Sequence, residues 1–566
     1  MAGSIAGIGV SPGTAVGPAH LVRSVIPAPG EQLTPSEELE AFDAAIRRGS
    51  AELERLAARL RVDGQESEAR IIDAQLLMLG DPTLVEGVRR RIGKHEAAAT
   101  AIQAETDGFK AMLAAMDDEY LAARAGDVQD VATRLIRDLH PQEELPSPQE
   151  PYVLVAHDLT PSETASLDRS LVLGFAIDAG SPTSHTAIMA EALNIPAVVG
   201  LRDITSRVTE GRRLALDGAD GLVVIDPNPT QILDYERRRR DAKDRSSRLR
   251  SLRELPTVTV DGHRFVLAAN IGSPSDVPAA LDAGAEGVGL LRTEFLFHGR
   301  EQAPDEEEQT RAYRAVIEAM PGHRVVVRTL DAGGDKPLPY LRQRAEKNPV
   351  LGLRGVRFTL ASPEIFRTQL RALMRASVYG ELCVMFPMVG ESKQVEEARA
   401  TLEAVRTEVG GGAQVGIMIE VPAAALIADQ LARHVDFFSV GTNDLVQYAL
   451  AVDRGNEQVA DLYRPLHPGV VRLLDMTVQA SHAHGRWAGV CGEMAADNLA
   501  IPILIGLGFD ELSMTPSRIP AAKERIRSLD YVTCRGLAHA ALECETANEV
   551  ERLASDVGRR VIVSRR

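Results

Sequence analysis

The sequence predicts a multidomain α/β protein: a small α/β domain interrupted by a helical bundle, then a linker helix, then a (β/α)8 TIM-type barrel. Three observations predict it. From Val258 onward, strand-like and helix-like stretches alternate over ~300 residues, the pattern of repeated βα units. Residues 35–139 are rich in Ala, Leu, Glu and Arg with almost no β-branched clusters, while short apolar strands lie on both sides of them. A charge run from Gln231 to Leu252, including Arg237 to Arg240, separates the two textures and reads as a solvated helix face.

Taken in order, Ile5, Ile8 and Val10 lead to the turn Ser11-Pro12-Gly13, and Val16, Leu21 and Val22 follow, which predicts short strands around a Pro-Gly turn. The texture changes at Pro35-Ser36-Glu37. Breaks at Val62-Asp63-Gly64, Gly80-Asp81-Pro82 and Gly126-Asp127 predict about four helices in a bundle. The stretch Ile71 to Pro82 is apolar over more than one helix face. It reads either as a core helix at a bundle end or as a protein-docking face. Strands are expected again at Tyr152–Val155, Leu171–Leu173, Phe175–Ile177, Ala197–Val199, Arg213–Leu216 and Leu222–Ile225. Residues 1–30 and 145–226 then form one α/β domain, with 35–142 inserted into it, 229–254 as the linker helix and 257–566 as the barrel. Barrel strands are expected at Phe265–Ala269, Gly287–Leu291, Arg324–Arg328, Leu382–Phe386, Val415–Ile419, Phe437–Val440, Trp487–Val490 and Leu512–Met514. The stretch Ala521 to Arg566 looks helical.

In the α/β domain, Gly180-Ser181-Pro182-Thr183-Ser184-His185 runs from a turn into helix-forming residues, with Ile188, Met189, Ala192 and Leu193 expected on the buried side. His185 falls in or beside the first turn, where free backbone N–H groups favour an anion. It reads either as an exposed capping histidine or as a carrier of a phosphoryl group.

In a barrel of this kind, chemistry collects at the carboxyl ends of the strands. Those ends carry Arg292 and Glu294, Arg328, Asp331 and Lys336, Glu420, Asn443 and Asp444, and Cys491 and Glu493, with Arg354 and Arg454 in loops. Arginines clamp phosphate oxygens, and Glu420 and Asp444 supply hard oxygen ligands for Mg²⁺. Cys491 could protonate a carbon centre. No Walker loop is present. Phosphoryl transfer is the chemistry that suits this set.

The chain has 566 residues and a formal charge of −17, which disfavours nucleic-acid binding and suits a basic protein partner. Four scattered cysteines (Cys383, Cys491, Cys534, Cys544) indicate neither a disulfide framework nor a zinc site. Met1 to Val10 lacks the basic start of a signal peptide, and Leu499 to Phe509 is too short to span a bilayer. A cytoplasmic protein without membrane insertion is expected.

The motifs Thr-Ser-His-Thr-Ala-Ile-Met-Ala, Asp-Leu-Thr-Pro-Ser-Glu-Thr, Leu-Leu-Arg-Thr-Glu-Phe-Leu, Arg-Thr-Leu-Asp-Ala-Gly-Gly-Asp-Lys, Gly-Thr-Asn-Asp-Leu-Val-Gln-Tyr and Val-Cys-Gly-Glu-Met occur in one order along the whole chain. Together they resemble the Enzyme I family of the phosphoenolpyruvate:sugar phosphotransferase system. The resemblance implies that His185 is phosphorylated through Nε2, with Thr164 hydrogen-bonding near it, in a domain that swivels. It implies that Arg292, Arg328 and Arg454 hold the phosphate of phosphoenolpyruvate, with Lys336, Arg354, Asn443 and Asp444 lining the site. Glu420 and Asp444 would bind Mg²⁺, and Cys491 would protonate the enolate at C3 to give pyruvate. The bundle would dock a small histidine-containing phosphocarrier protein, and the barrel would form a homodimer. The family commonly has Gly-Gly-Arg before Thr-Ser-His, where this chain has Gly180-Ser181-Pro182. Pro182 removes a backbone donor, so local phosphate contacts are expected to differ. A dikinase of related architecture is disfavoured, because it needs a large ATP-binding domain and only residues 1–30 precede the bundle.

Overall fold

The computed structural model describes residues 3–22, 33–62, 66–114, 125–139, 148, 150–159, 167–168, 170–180, 185–192, 195–298, 300, 302–333, 338, 340, 346–456 and 458–563. The chain divides into two units, Met1–Arg245 and Ser246–Arg566. In the first, β1 (Gly3–Ala6), β2 (Ile8–Ser11) and β3 (Thr14–Val22) come before the helical stretch. After it come β4 (Tyr152–Ala156), β5 (Val172–Ile177), β6 (Ala197–Val199), β7 (Arg213–Asp217) and β8 (Leu222–Ile225). They make one sheet in the order β1-β8-β7-β3-β4-β5-β6-β2. β3 pairs in parallel with β4, Ala19 opposite Val153, so strands from both sides of the helices share the sheet. β4 lies between parallel neighbours and is buried along its length, as its unbroken apolar run Tyr-Val-Leu-Val-Ala requires. The sequence predicts two strands where the structure has β5 alone. Gly174 is there for close approach and not for a break: a Cβ on it would meet the Pro196 carbonyl oxygen at 3.0 Å and the Ala15 Cβ at 3.2 Å.

The helical stretch comprises α1 (Pro35–Val62), α2 (Glu66–Leu79), α3 (Pro82–Ile92), α4 (Ala98–Ala114) and α5 (Ala125–Leu139) among the described residues. Phe42, Leu79, Val88, Ile102 and Leu135 share its core. α3 starts as Gly80-Asp81-Pro82 predicts. The Asp81 carboxylate accepts from the N–H groups of Thr83 (2.7 Å) and Leu84 (3.3 Å), and Pro82 takes the first helical position. A helix starts beside the break expected at Gly126-Asp127: residues 115–124 lie outside the described residues, and Gly126 and Asp127 sit in the first turn of α5. There, the buried series Val128, Val131, Ala132, Leu135, Ile136, Leu139 outweighs one glycine. α2 buries Ile72, Gln75 and Leu79 and leaves Leu77 78% exposed.

Helix α6 (His185–Ala192) follows β5 and is pinned by its buried face. Thr186 Oγ1 donates to the Leu159 carbonyl at 3.2 Å, and Ser11 Oγ donates to the Ala190 carbonyl at 3.3 Å. Ala187 and Ala190 are buried and Met189 is half-buried, while the side chains of Ile188, Ala192 and Leu193 lie outside the described residues. Helix α7 (Pro229–Ser251) carries the charge run. Its Tyr235 packs on the sheet with Ala215 and Val224, and Arg238 pairs with Asp217 at 3.0 Å.

In the second unit, β9 (Val266–Ile271), β10 (Val288–Leu291), β11 (Val325–Arg328), β12 (Leu382–Phe386), β13 (Gln414–Ile419), β14 (Phe437–Val440), β15 (Trp487–Val490) and β16 (Glu511–Met514) form a closed barrel. β16 pairs back onto β9 in parallel, with Met514 opposite Ala269. The eight strands fall where the sequence places them. Leu290, Val326, Cys383, Met385, Met418, Phe437 and Cys491 fill the interior. At its amino-terminal end Phe437 stacks on Trp487 at 4.4 Å, and the Arg324 guanidinium lies 4.1 Å from the Trp487 ring centroid. Gly416 makes room for this stack, since a Cβ there would sit 2.4 Å from the Phe437 ring. The carboxyl-terminal stretch is helical as expected, and Ile526, Cys534, Leu537 and Val550 join the core between barrel and helices. Among the described residues no helix is long and apolar enough to cross a membrane.

Candidate active site

Side chains of a barrel strand face inward at every second position. Two residues beyond interior Val326 is Arg328, two beyond interior Met418 is Glu420, and two beyond Gly489 is Cys491. Each therefore points inward at or just past the carboxyl end of β11, β13 or β15. They meet in a cleft of about 410 Å³, whose wall also includes Arg292, Asn443, Asp444 and Arg454. Asn443 and Asp444 come from the first turn of α8 (Thr442–Leu450), which follows β14 directly. Asn443 is held by Glu493, whose backbone N–H donates to Asn443 Oδ1 at 2.9 Å.

Arg354 has a different place from the one the resemblance implies. It is 2% exposed and lies behind the wall. Its Nε and Nη2 donate to Asp331 Oδ1 and Oδ2 at 2.9 and 3.0 Å, and Nη2 also reaches Asp444 Oδ2 at 3.0 Å. His185 heads α6 in the first unit. Its side chain, with Thr164, Pro182 and Lys336, lies outside the described residues.

The floor of the cleft is a buried charge network. Arg328 donates from Nη2 to Glu294 Oε1 at 2.8 Å, and its Nη1 is 3.2 Å from Asp331 Oδ2. Its Nε–H is buried with no hydrogen-bond partner among the described residues. An unpaired buried donor of this kind is expensive unless a ligand completes it. Burial works against the Arg328 charge, but Glu294, Asp331 and Glu420 outweigh it and hold the guanidinium charged. Glu420 is pushed up to about 8 by burial and by the neighbouring carboxylates of Asp331 and Asp444, with Arg328 and Arg354 opposing. Its Oε1 accepts the Met388 backbone N–H at 2.6 Å. Met388 holds φ at 59° to make that contact, a left-handed conformation uncommon outside glycine. Burial pushes the Cys491 thiol up to about 11, so it stays protonated at neutral pH.

Glu294, Asp331, His298 and Met388 belong to this site and were not assigned roles from sequence; His298 and Glu294 line the cleft itself. The signal for two of them was legible: a carboxylate two or three residues after a strand-end arginine, in Arg292-Thr293-Glu294 and Arg328-Thr329-Leu330-Asp331.

The donor set fits a hard divalent cation. Oε2 of Glu420 and Oδ1 of Asp444 accept no hydrogen bond among the described residues, and both residues line the cleft. No group of three or more His, Cys, Asp or Glu that could hold a metal converges among the described residues. An ion seated on two carboxylates would complete its shell with water and substrate oxygens, as Mg²⁺ commonly does.

Family models cover most of the chain. The "PEP-utilising enzyme, N-terminal" model matches residues 6–124, the "PEP-utilising enzyme, mobile domain" model matches 148–221, and the "PEP-utilising enzyme, PEP-binding domain" model matches 246–531. The phosphoenolpyruvate-protein phosphotransferase of Staphylococcus carnosus (strain TM300) is 45% identical over 570 residues, covering 98% of this chain and 99% of that protein. The protein of the same name from Listeria monocytogenes serovar 1/2a is 45% identical over 566 residues with the same coverage. An NMR solution structure of Enzyme I (nEIt) is 34% identical over 42% of this chain and 99% of its own, with a TM-score of 0.36. With the barrel, the sheet and the charged rim in place, identity at this level along the full length has one meaning: the chain belongs to the Enzyme I family of phosphoenolpyruvate-protein phosphotransferases.

Proposed function

We propose that this chain transfers the phosphoryl group of phosphoenolpyruvate to its own His185 and then to a histidine of a small phosphocarrier protein, releasing pyruvate, as the first step of phosphotransferase-system sugar uptake. The observation that carries the reading is the cleft: Arg292, Arg328, Arg454, Glu420, Asp444 and Cys491 line one space at the carboxyl end of the barrel. Three arginines suit a phosphate and a carboxylate on one small molecule. The unpaired Nε–H of Arg328 points to an acceptor supplied by substrate. Glu420 and Asp444 would hold Mg²⁺. When bound, that ion supplies charge stabilisation for the enolate oxygen as the phosphoryl group leaves.

In this mechanism, Arg292 and Arg454 bind the substrate from the exposed rim while Arg328 orients it from below. Neutral His185 attacks phosphorus in line, and the bond from phosphorus to the enolate oxygen breaks. Cys491 gives its proton to C3 of the enolate, completing pyruvate. Thr164 steadies the imidazole, and Lys336 and Asn443 complete the substrate shell. Residues 1–30 with 145–226 carry the phosphohistidine, 35–142 dock the carrier, 229–254 link, and 257–566 bind substrate and dimerise. The exposed Leu77 on α2 supports the docking role of the bundle. The enzyme works in the cytoplasm.

The test is incubation with phosphorus-labelled phosphoenolpyruvate and Mg²⁺, comparing wild type with His185→Ala and running labelled ATP alongside. Acid-labile, base-stable label on the wild type alone, with pyruvate released and ATP inert, is expected. Label taken from ATP would assign the chain to the dikinases, and no label at all would leave a docking protein.

A further inference from the structure

His298 lines the cleft beside Arg292 and Arg328, and the mechanism above gives it no part. Its place is fixed through its backbone. After β10 the chain turns through a short 3-10 helix, Glu294–Leu296, and the Glu294 carbonyl accepts the N–H groups of Phe297 at 2.9 Å and His298 at 3.0 Å. Phe297 is fully buried beneath the turn, and its carbonyl accepts the Tyr340 hydroxyl at 3.2 Å. Just beyond, Arg300 grips Glu308 through both terminal nitrogens, at 2.9 and 2.6 Å. A backbone anchored on both sides confines where an exposed side chain can reach. The His298 imidazole has no hydrogen-bond or ion-pair partner among the described residues, and neither has the Arg292 guanidinium on the same loop. β14, which leads into Asp444, lies directly across the barrel from β10, with three strands between them on either side. A ligand reaching from the Glu420–Asp444 pair to Arg292 therefore turns its far end to the loop that carries His298. Arg292 and Arg328 stand at that end, and the pair suits a doubly charged phosphate over a singly charged carboxylate.

We propose that His298 is a phosphate-binding residue: an imidazole N–H donates to a peripheral oxygen of the substrate phosphate, beside Arg292, and adds a further donor at that end of the cleft. This rests on the reading of the cleft as the phosphoenolpyruvate site. In either neutral tautomer one ring nitrogen carries a hydrogen, so the contact needs no change of protonation.

The experiment is calorimetric titration of the full chain in a His185→Ala background, where phosphoenolpyruvate with Mg²⁺ binds without being consumed. The second ligand is oxalate with Mg²⁺, which carries carboxylates and no phosphate. His298→Ala is expected to weaken phosphoenolpyruvate about 10-fold, the loss of one hydrogen bond to a charged group, and to leave oxalate within about threefold. His298→Gln keeps an N–H donor on a side chain of similar reach and is expected to bind phosphoenolpyruvate within about threefold of the His298 chain. The ring is exposed, so both substitutions leave the core packing intact. Undiminished phosphoenolpyruvate binding in His298→Ala overturns the proposal. So does an equal loss of phosphoenolpyruvate and oxalate, or a Gln variant as weak as the Ala variant. Failure of phosphoenolpyruvate to bind with His298 in place would refute the substrate reading of the cleft itself. Binding there, with no loss in His298→Ala, refutes the role of His298 alone.

Discussion

Cys491 shows how a residue acquires its chemistry from its neighbours. Burial at the end of β15 raises its thiol to about 11, and Asn270 holds its backbone carbonyl at 2.9 Å, so it presents a bound proton in a fixed place. Cys491→Ser is therefore expected to slow pyruvate release about 100-fold, the lower end of what a positioned acid contributes. Phosphoenolpyruvate affinity measured by calorimetry should change less than about threefold. Pyruvate release at the wild-type rate would remove Cys491 from the proton path. Sequence shows which residues reach the rim, because strand ends and period two are legible in Val326–Arg328 and Met418–Glu420. It does not show which of them face the substrate. Arg354 and Asp444 lie 90 residues apart, and only folding brings them into the contact that withdraws Arg354 from the cleft.

At the scale of elements, β16 carries a titratable group into the barrel interior. Glu511 is 3% exposed and is pushed up to about 7 by burial, with Arg324 opposing from 3.6 Å. The folded state therefore keeps this proton up to about pH 7, whereas the unfolded chain releases it near 4.5. Its contribution to stability is fully present below about pH 4.5 and is lost as pH rises through about 7, on the order of 3 kcal/mol at most. Glu511→Gln should flatten that part of the pH dependence, read as the urea midpoint of the barrel unit between about pH 5 and pH 8. An unchanged slope would mean that Arg324 fully compensates the charge. Elements with strong periodicity, such as α5 and the barrel strands, were legible from the sequence. The boundary read at Gly174 falls inside β5, where the reason for the glycine is its close approach to Pro196 and Ala15.

At the scale of the whole molecule, His185, the residue proposed to carry the phosphoryl group, and the cleft proposed to bind substrate belong to different units. Glu420→Ala is accordingly expected to abolish labelling by phosphoenolpyruvate while leaving His185 able to take phosphate back from a phosphorylated carrier. Equal loss of both half-reactions would show that the two sites cannot be separated in this way. The order of elements along the chain has another consequence, for synthesis. β3 finds its parallel partner only when Val153 arrives opposite Ala19, and β7 closes its other edge later still. A chain leaving the ribosome must carry its first three strands unpaired while α1 to α5, whose contacts lie within residues 35–139, complete their own core. The bundle is thus born first, and by drawing its two ends together it shortens the search that the oldest strands must make for the newest.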